Sequence, residues 1–438
     1  MKPLYELKAL HKNMQTKKLY LFLLLGFFSS GSLWPLDNVN KTQAATESDT
    51  IVKITFKGLK RTKEETIQDI TEIDIGQGID TINIKGIEQK LMGTGLFSDV
   101  SASINHLTNA EYELVIIVSE KLTLVPVPFL YFSDSSIVVG GMLFDSNLFG
   151  KAKNFVTGGL YSETEKTAFI NFIDPHYWGR TLIVGLSGFV STDDNKEFTY
   201  VDDDSFADYD SIEASGGISL SYRRNQSFIP TIDVTTAYYH AANFDDIPGV
   251  EDELFMISPG ASITFHNMKH GGSSPKGFSV SIAYHHGFSI VGSEAYDSIA
   301  MHTNWSTALL DDKTFQLGLS GEYSDRSLQV MDNLSEKGRG YRILPQNVYA
   351  SKYTAGYGAY SIPIIKAAWG ILETNFLYEF GFLETGMKGD SQSEYYHGPG
   401  YSFNLYLNKV AIPALGICFA YNIRTETPVM SFSLGFSM

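Results

Sequence analysis

The chain contains one cysteine, Cys418, in 438 residues. That excludes an intramolecular disulfide and any metal site built on several thiolates. Basic residues are also scarce, 33 Lys and Arg against 49 Asp and Glu, and a net charge of −16 is a poor match for nucleic acid. After residue 50 no unbroken apolar run reaches the roughly 20 residues that a membrane-spanning helix needs. Ser187 and Ser320 each precede a glycine, but neither completes the G-x-S-x-G elbow of a serine hydrolase. No phosphate loop or metal-ligand spacing is visible. The sequence implies neither an enzyme nor a cofactor or metal.

Aromatic residues and glycine are plentiful: 29 Phe, 25 Tyr and 39 Gly. Their placement is periodic. In residues 372–383, Leu372, Phe376, Tyr378, Phe380 and Phe382 occupy even positions, while Glu373, Asn375, Glu379 and Gly381 occupy odd ones. Leu377 and Leu383 break the pattern. Side chains of a strand alternate between faces, so this strand is greasy on one side and carries carboxylates on the other. Lipid outside and a polar lumen inside a membrane barrel impose that pattern.

Three regions follow along the chain. Lys17 and Lys18 precede an apolar run over 19–28, the plan of a secretory leader, and residues 1–45 are expected to be signal and leader. Residues 46–121 predict a small α+β domain of order β-α-α-β-β. Its first helix is announced by Thr62 and Glu65, which are spaced as a capping box. The second helix carries Ile84, Ile87 and Leu91 and stops at Gly93 and Gly95. Strands are expected over 98–104 and 112–119. Pro126 and Pro128 read as a break. Residues 122–438 then predict an all-β transmembrane antiparallel barrel, because a region of roughly 310 residues is long for one sandwich and accommodates about sixteen strands. The acidic stretch 193–210 reads as a solvated outer loop, and His266 and His270 as surface residues at a turn.

The first domain resembles a POTRA domain, the periplasmic module of the BamA-like outer-membrane assembly family. Residues 51–67, 87–104 and 112–121 carry the likeness, with the Gly95, Leu96, Phe97 turn and the closing Val118, Ser119, Glu120. The barrel region resembles the same family. It does so through the run from Asp145 to Gly150, Asp174-Pro175 with Trp178-Gly179, Pro275 to Gly277, Arg339-Gly340-Tyr341, and the segment from Phe376 to Gly381. Departures are Gly338 before the arginine, Glu379 in place of aspartate, and Ser437-Met438 after the final aromatic.

The resemblance implies a Gram-negative-type outer-membrane protein with its first domain in the periplasm and a single POTRA-like unit. Its expected role is inserting or assembling outer-membrane β-barrels. The alternatives are a two-partner-type secretion pore and a passive channel or receptor of the same architecture. Implied partners are outer-membrane lipids, unfolded outer-membrane proteins and accessory periplasmic proteins or lipoproteins.

Four groups of residues are implied to carry this role. Arg339, Gly340 and Tyr341 form the tip of a loop that folds into the lumen. The loop docks on a strand carrying Phe376, Glu379 and Gly381, with Glu379 as counter-charge and Glu373 as a second acceptor. Phe432, Leu434 and Phe436 mark the closing strand. Ser98, Asp99, Val100, Ser101, Ala102, Ser103 and Ile104 form a client-pairing edge, where proline at 99 or 101 is expected to remove a donor.

Overall fold

The structure is a computed structural model. It describes residues 49–438 apart from 109, 133–136, 178–180, 200–204, 224–226, 244–246, 248–249, 269–275, 311, 331–342, 344–349, 388–389, 412–414 and 435–438. The leader therefore lies outside the described residues, as do Arg339, Gly340, Tyr341, Phe436 and His270.

The first domain runs β1 (Thr50–Lys57), α1 (Glu64–Thr71), α2 (Ile84–Gly93), β2 (Phe97–Thr108) and β3 (Glu111–Glu120). Its sheet has the order β1-β3-β2, with β1 parallel and β2 antiparallel to the central β3. Ile51, Ile67, Leu91, Phe97, Leu114 and Ile116 form its core, one or more from each element. Burying them supplies the hydrophobic driving force that such a small unit needs. Gly58 ends β1 with φ +86°, and any Cβ there would collide with the Val118 carbonyl oxygen. Asn83 caps α2 by accepting from the Gly86 N–H at 3.0 Å.

The expected capping box at α1 is not formed. The N-cap is Lys63 and makes no side-chain cap bond. The Thr62 hydroxyl instead accepts from Asn147 Nδ2 at 2.8 Å. A buried amide without an acceptor is costly, and that requirement claims the hydroxyl.

The second region is a sixteen-stranded antiparallel sheet in sequential order. Its strands are β4 (Leu124–Phe132), β5 (Ile137–Leu148), β6 (Lys153–Tyr161), β7 (Glu165–Tyr177), β8 (Leu182–Thr199), β9 (Ser205–Tyr222), β10 (Phe228–Ala242) and β11 (Glu253–His266). They continue with β12 (Gly277–Val291), β13 (Ala295–Leu310), β14 (Lys313–Ser324), β15 (Lys352–Ala367), β16 (Gly370–Met387), β17 (Asp390–Leu407), β18 (Leu415–Asn422) and β19 (Thr427–Leu434). In β18, Leu415, Ile417, Phe419 and Tyr421 are exposed while Gly416, Cys418, Ala420 and Asn422 are buried. Exposed Ile, Phe, Trp and Tyr recur on alternate positions of most strands. An apolar outer face of this kind suits lipid. No helix of the described residues is long and apolar enough to cross a membrane.

Two readings of the sequence change here. Pro126 and Pro128 do not mark a break; both lie inside β4, an end strand of the sheet, where proline is tolerated. The acidic stretch is not chiefly a loop. Residues up to Thr199 belong to β8 and those from Ser205 to β9, so Asp193, Asp194, Asp208 and Asp210 lie on an extended hairpin, while Asp202, Asp203 and Asp204 fall outside the described residues. Alternation carried the ladder further than polarity suggested. His266 likewise closes β11.

Candidate functional site

The lumen face of β16 is built by parity. Phe376, Tyr378 and Phe382 are about half exposed, whereas Glu373 and Glu379 are 0 % exposed and Asn375, Leu377 and Leu383 are buried beside them. Leu377 and Leu383 thus keep to the odd, inward set despite being apolar. They pack with Tyr353, Ala355, Tyr357, Tyr396, Cys418, Ala420 and Ile343. Gly381 shares the inward parity and is buried.

Ile343 belongs to the connection between β14 and β15. It is completely buried. Its N–H donates to Glu379 Oε2 at 3.2 Å, and its carbonyl accepts from Asn422 Nδ2 at 2.7 Å. Because β4 begins beside the first domain, the β14–β15 connection starts from the opposite end of the sheet. It must therefore reach inward to place Ile343 against β16 and β18. A carboxylate accepting a backbone N–H in a buried setting makes a stronger bond than a neutral acceptor. Arg339, Gly340 and Tyr341, just upstream, lie outside the described residues. Phe432 and Leu434 fall in β19, paired opposite Ile417 and Leu415.

A second polar centre, unforeseen in the sequence, joins the two regions. Arg61 grips Asp145 at the end of β5 bidentately, Nη1 to Oδ1 at 2.9 Å and Nη2 to Oδ2 at 2.6 Å. Nη1 also donates to the Thr123 hydroxyl at 2.7 Å. Asp145 is 1 % exposed. Asn147 donates to Thr62 and accepts from the Ala152 N–H at 2.8 Å, while Lys63 N–H and the Thr66 hydroxyl both donate to the Gly150 carbonyl at 2.9 Å. Gly150 has φ +73°, and a Cβ there would strike the Arg61 carbonyl oxygen.

The Arg61 strap is itself held from below. The N–H groups of Arg61 and Thr62 donate to the Glu120 carboxylate, each at 2.9 Å. Burial pushes Glu120 up, but the N–H groups of Arg61 and Lys60 with the Thr62 hydroxyl and N–H more than offset this. Its carboxyl is held below the usual value. The sequence signal was present in part: the stretch from Asp145 to Gly150 stood out, but nothing in it pointed to Arg61.

Two free strand edges complete the picture. In the first domain β2 is an outer strand. The Leu96 carbonyl accepts from the Lys121 N–H, and a bulge between Phe97 and Asp99 shifts the parity. Asp99, Ser101 and Ser103 therefore bond to β3, while Val100, Ala102 and Ile104 point their backbone groups outward. The expectation for proline at 99 or 101 is corrected accordingly: those N–H groups serve the internal ladder, and the outward-facing N–H groups belong to Val100, Ala102 and Ile104.

In the barrel sheet, β4 and β19 are the outer strands of the described residues. Odd residues of β4 face β5, as the Thr123 carbonyl shows by accepting from Ser146 N–H. Even residues face away. Leu122 N–H donates to the Lys409 carbonyl and its own carbonyl accepts from Ala411 N–H, both at 2.8 Å. Pro126 and Pro128 share this even parity, so the outward edge of β4 lacks two donors.

Residues 50–121 match the POTRA family, described as Surface antigen variable number repeat. No curated protein matches the chain by sequence. Among solved structures, BamA from Haemophilus ducreyi lacking POTRA domains 1–3 aligns over 89% of this chain and 84% of its own, with TM-score 0.52 and 13% identity. CdiB from Acinetobacter baumannii aligns over 89% and 74%, with TM-score 0.56 and 14% identity. CdiB from Escherichia coli aligns over 89% and 75%, with TM-score 0.58 and 13% identity. The fold is that of a POTRA domain followed by the sixteen-stranded barrel sheet that BamA and CdiB share.

Proposed function

From a POTRA domain joined to the barrel fold of BamA and CdiB, we propose that the chain is an outer-membrane β-barrel assembly or insertion factor. It acts by strand pairing rather than by bond chemistry. The observation that carries this reading is the pair of outward-facing strand edges among the described residues, one on each side of the Arg61–Asp145 joint. The outward N–H and C=O groups of β2 offer an extended client a place to add a strand. The outward edge of β4 then supplies a seam at which pairing is incomplete. An entering strand needs backbone partners in lipid, where unpaired groups are costly. A seam already short of hydrogen bonds is exchanged at low cost.

Arg339, Gly340 and Tyr341 are proposed to lock the β14–β15 connection inside the lumen against Glu379, with Ile343 marking where that connection is already docked. Gly340 lets the backbone turn, and Tyr341 packs an amphipathic ring on the lumen wall. Phe432, Leu434 and Phe436 form the closing strand that faces the seam.

The test is reconstitution in lipid vesicles with an unfolded outer-membrane barrel protein as client. Folding of the client faster than into protein-free vesicles supports assembly. No acceleration, together with steady single-channel conductance, overturns it in favour of a channel.

A further inference from the structure

The outward edge of β2 is not equally open along its length. Glu88 of α2 reaches over the side of the sheet, and its Oε1 accepts from the Ala102 N–H at 3.0 Å. Ala102 is one of the three outward donors and sits between the other two. The Glu88 side chain is partly exposed. The face beneath is formed by Val100, Ala102 and Ile104, which pack on the domain core, while Ser101 and Ser103 point to solvent.

The opposite edge is blocked by other means. Ile51 of β1 donates to the Gln77 carbonyl at 2.9 Å and accepts from Gly76 N–H at 2.7 Å. That block is main chain and cannot move aside without remaking the turn. The block on β2 is one flexible side chain.

We propose that Glu88 is a displaceable guard of the client edge. It occupies the central donor of β2 when no strand is bound and yields it to the carbonyl of an incoming extended segment. This rests on the reading of β2 as the pairing edge. The physical case is that of an edge strand, whose free donors are a hazard for unwanted pairing and are commonly blunted by charge. A carboxylate does both jobs here: it satisfies the N–H and places a negative charge beside the groove. The occupant it admits is an extended strand able to supply a full run of carbonyls, because a single contact is outcompeted by a charged acceptor that is already in place. Binding then needs at least three bonds in register, at Val100, Ala102 and Ile104.

The test uses the full chain in detergent micelles and a synthetic peptide copying residues 427–438 as the extended probe. Removing the guard by Glu88→Ala is expected to tighten probe binding by roughly three- to tenfold, the range set by losing one competing charged hydrogen bond at a half-exposed site. Ala102→Pro is expected to abolish binding while leaving the domain folded, since that nitrogen does not serve the internal ladder. If Ala102→Pro leaves binding unchanged, the β2 edge is not the docking strand and both readings fall. If Ala102→Pro abolishes binding but Glu88→Ala leaves it unchanged or weaker, the edge stands and the guard falls. A second readout needs no probe. In the wild-type chain the Ala102 amide should exchange with deuterium more slowly than Val100 and Ile104, and in Glu88→Ala it should match them. Equal exchange of all three in the wild type overturns the guard.

Discussion

The two sides of β4 are treated in opposite ways. Toward β5, the strand lies beside a dense polar joint in which Arg61, Asp145, Thr123, Thr62 and Asn147 bond across domain limits. Toward its outer side, among the described residues, it is tied at its root by Leu122 to Lys409 and Ala411, and then loses two donors to Pro126 and Pro128. The difference teaches where the molecule is built to hold and where it is built to part. A side chain network with a 1 % exposed carboxylate fixes the POTRA domain to the first turn of the barrel sheet. An edge short of two donors resists full zippering, whatever strand lies against it.

The largest effect should come from breaking the fastened side. Arg61→Ala leaves Asp145 buried without its counter-charge, a change that costs on the order of 3 kcal/mol. The midpoint of urea unfolding should fall and the POTRA domain should become protease-sensitive at residues 58–63. Asp145→Ala on top of Arg61→Ala should recover part of the loss, because the stranded charge is gone. A loss in the double variant equal to the sum of the two single losses would mean that the pair does not couple.

Cutting the lumen contact asks whether fastening is confined to the POTRA side. Glu379→Ala removes the acceptor of Ile343 N–H and the proposed partner of Arg339. A loss of about 1–3 kcal/mol is expected from the unsatisfied buried group. Arg339→Ala should behave alike, and the two together should be non-additive, with a coupling of roughly 0.5–3 kcal/mol. Glu379→Asp should be mild. Strictly additive effects on heat-modifiable gel mobility would separate Arg339 from Glu379.

Restoring donors sharpens the loose side. Pro126→Val with Pro128→Val returns two N–H groups to the outward edge, each worth about 1 kcal/mol once paired. Resistance to heat in gel mobility should rise, and client folding in vesicles should slow. Higher stability with unchanged client folding would detach the seam from the proposed activity.

The smallest effect concerns acid. Glu120 holds the Arg61 strap, and its carboxyl lies below the usual value through N–H bonding that outweighs burial. A depressed carboxyl contributes stability at neutral pH that is lost as pH falls past the usual glutamate range and through the depressed value. The protection factor of the Lys63 amide, bonded to Gly150, taken relative to the intrinsic exchange rate at each pH, should therefore fall on acidification, and Glu120→Gln should flatten that dependence.

Period-two alternation fixed far more of this chain than local signals did. It carried the strand number, the inward set on β16, and even the placement of Glu379, because a strand can only alternate. Spacing likewise located α2 through Ile84, Ile87 and Leu91. Local polar signals misled. Thr62 and Glu65 have the spacing of a cap, but a buried amide 85 positions away claims the hydroxyl. Pro126 and Pro128 read as a break, but proline is also tolerated on an end strand, and that is where they lie.

What the sequence alone determined is periodic: a short α+β unit, a long run of alternating strands, and the face on which each side chain lies. What only the tertiary structure decided is contact across sequence distance. Arg61 meets Asp145, Glu88 meets Ala102, Ile343 meets Glu379, and Leu122 meets the turn before β18. The physical reason is that strand parity follows from backbone geometry one residue at a time. The partner of a lone charge or N–H is set only when the sheet order, the bulge at Phe97 and Asp99, and the docked domain bring two remote groups within hydrogen-bond reach.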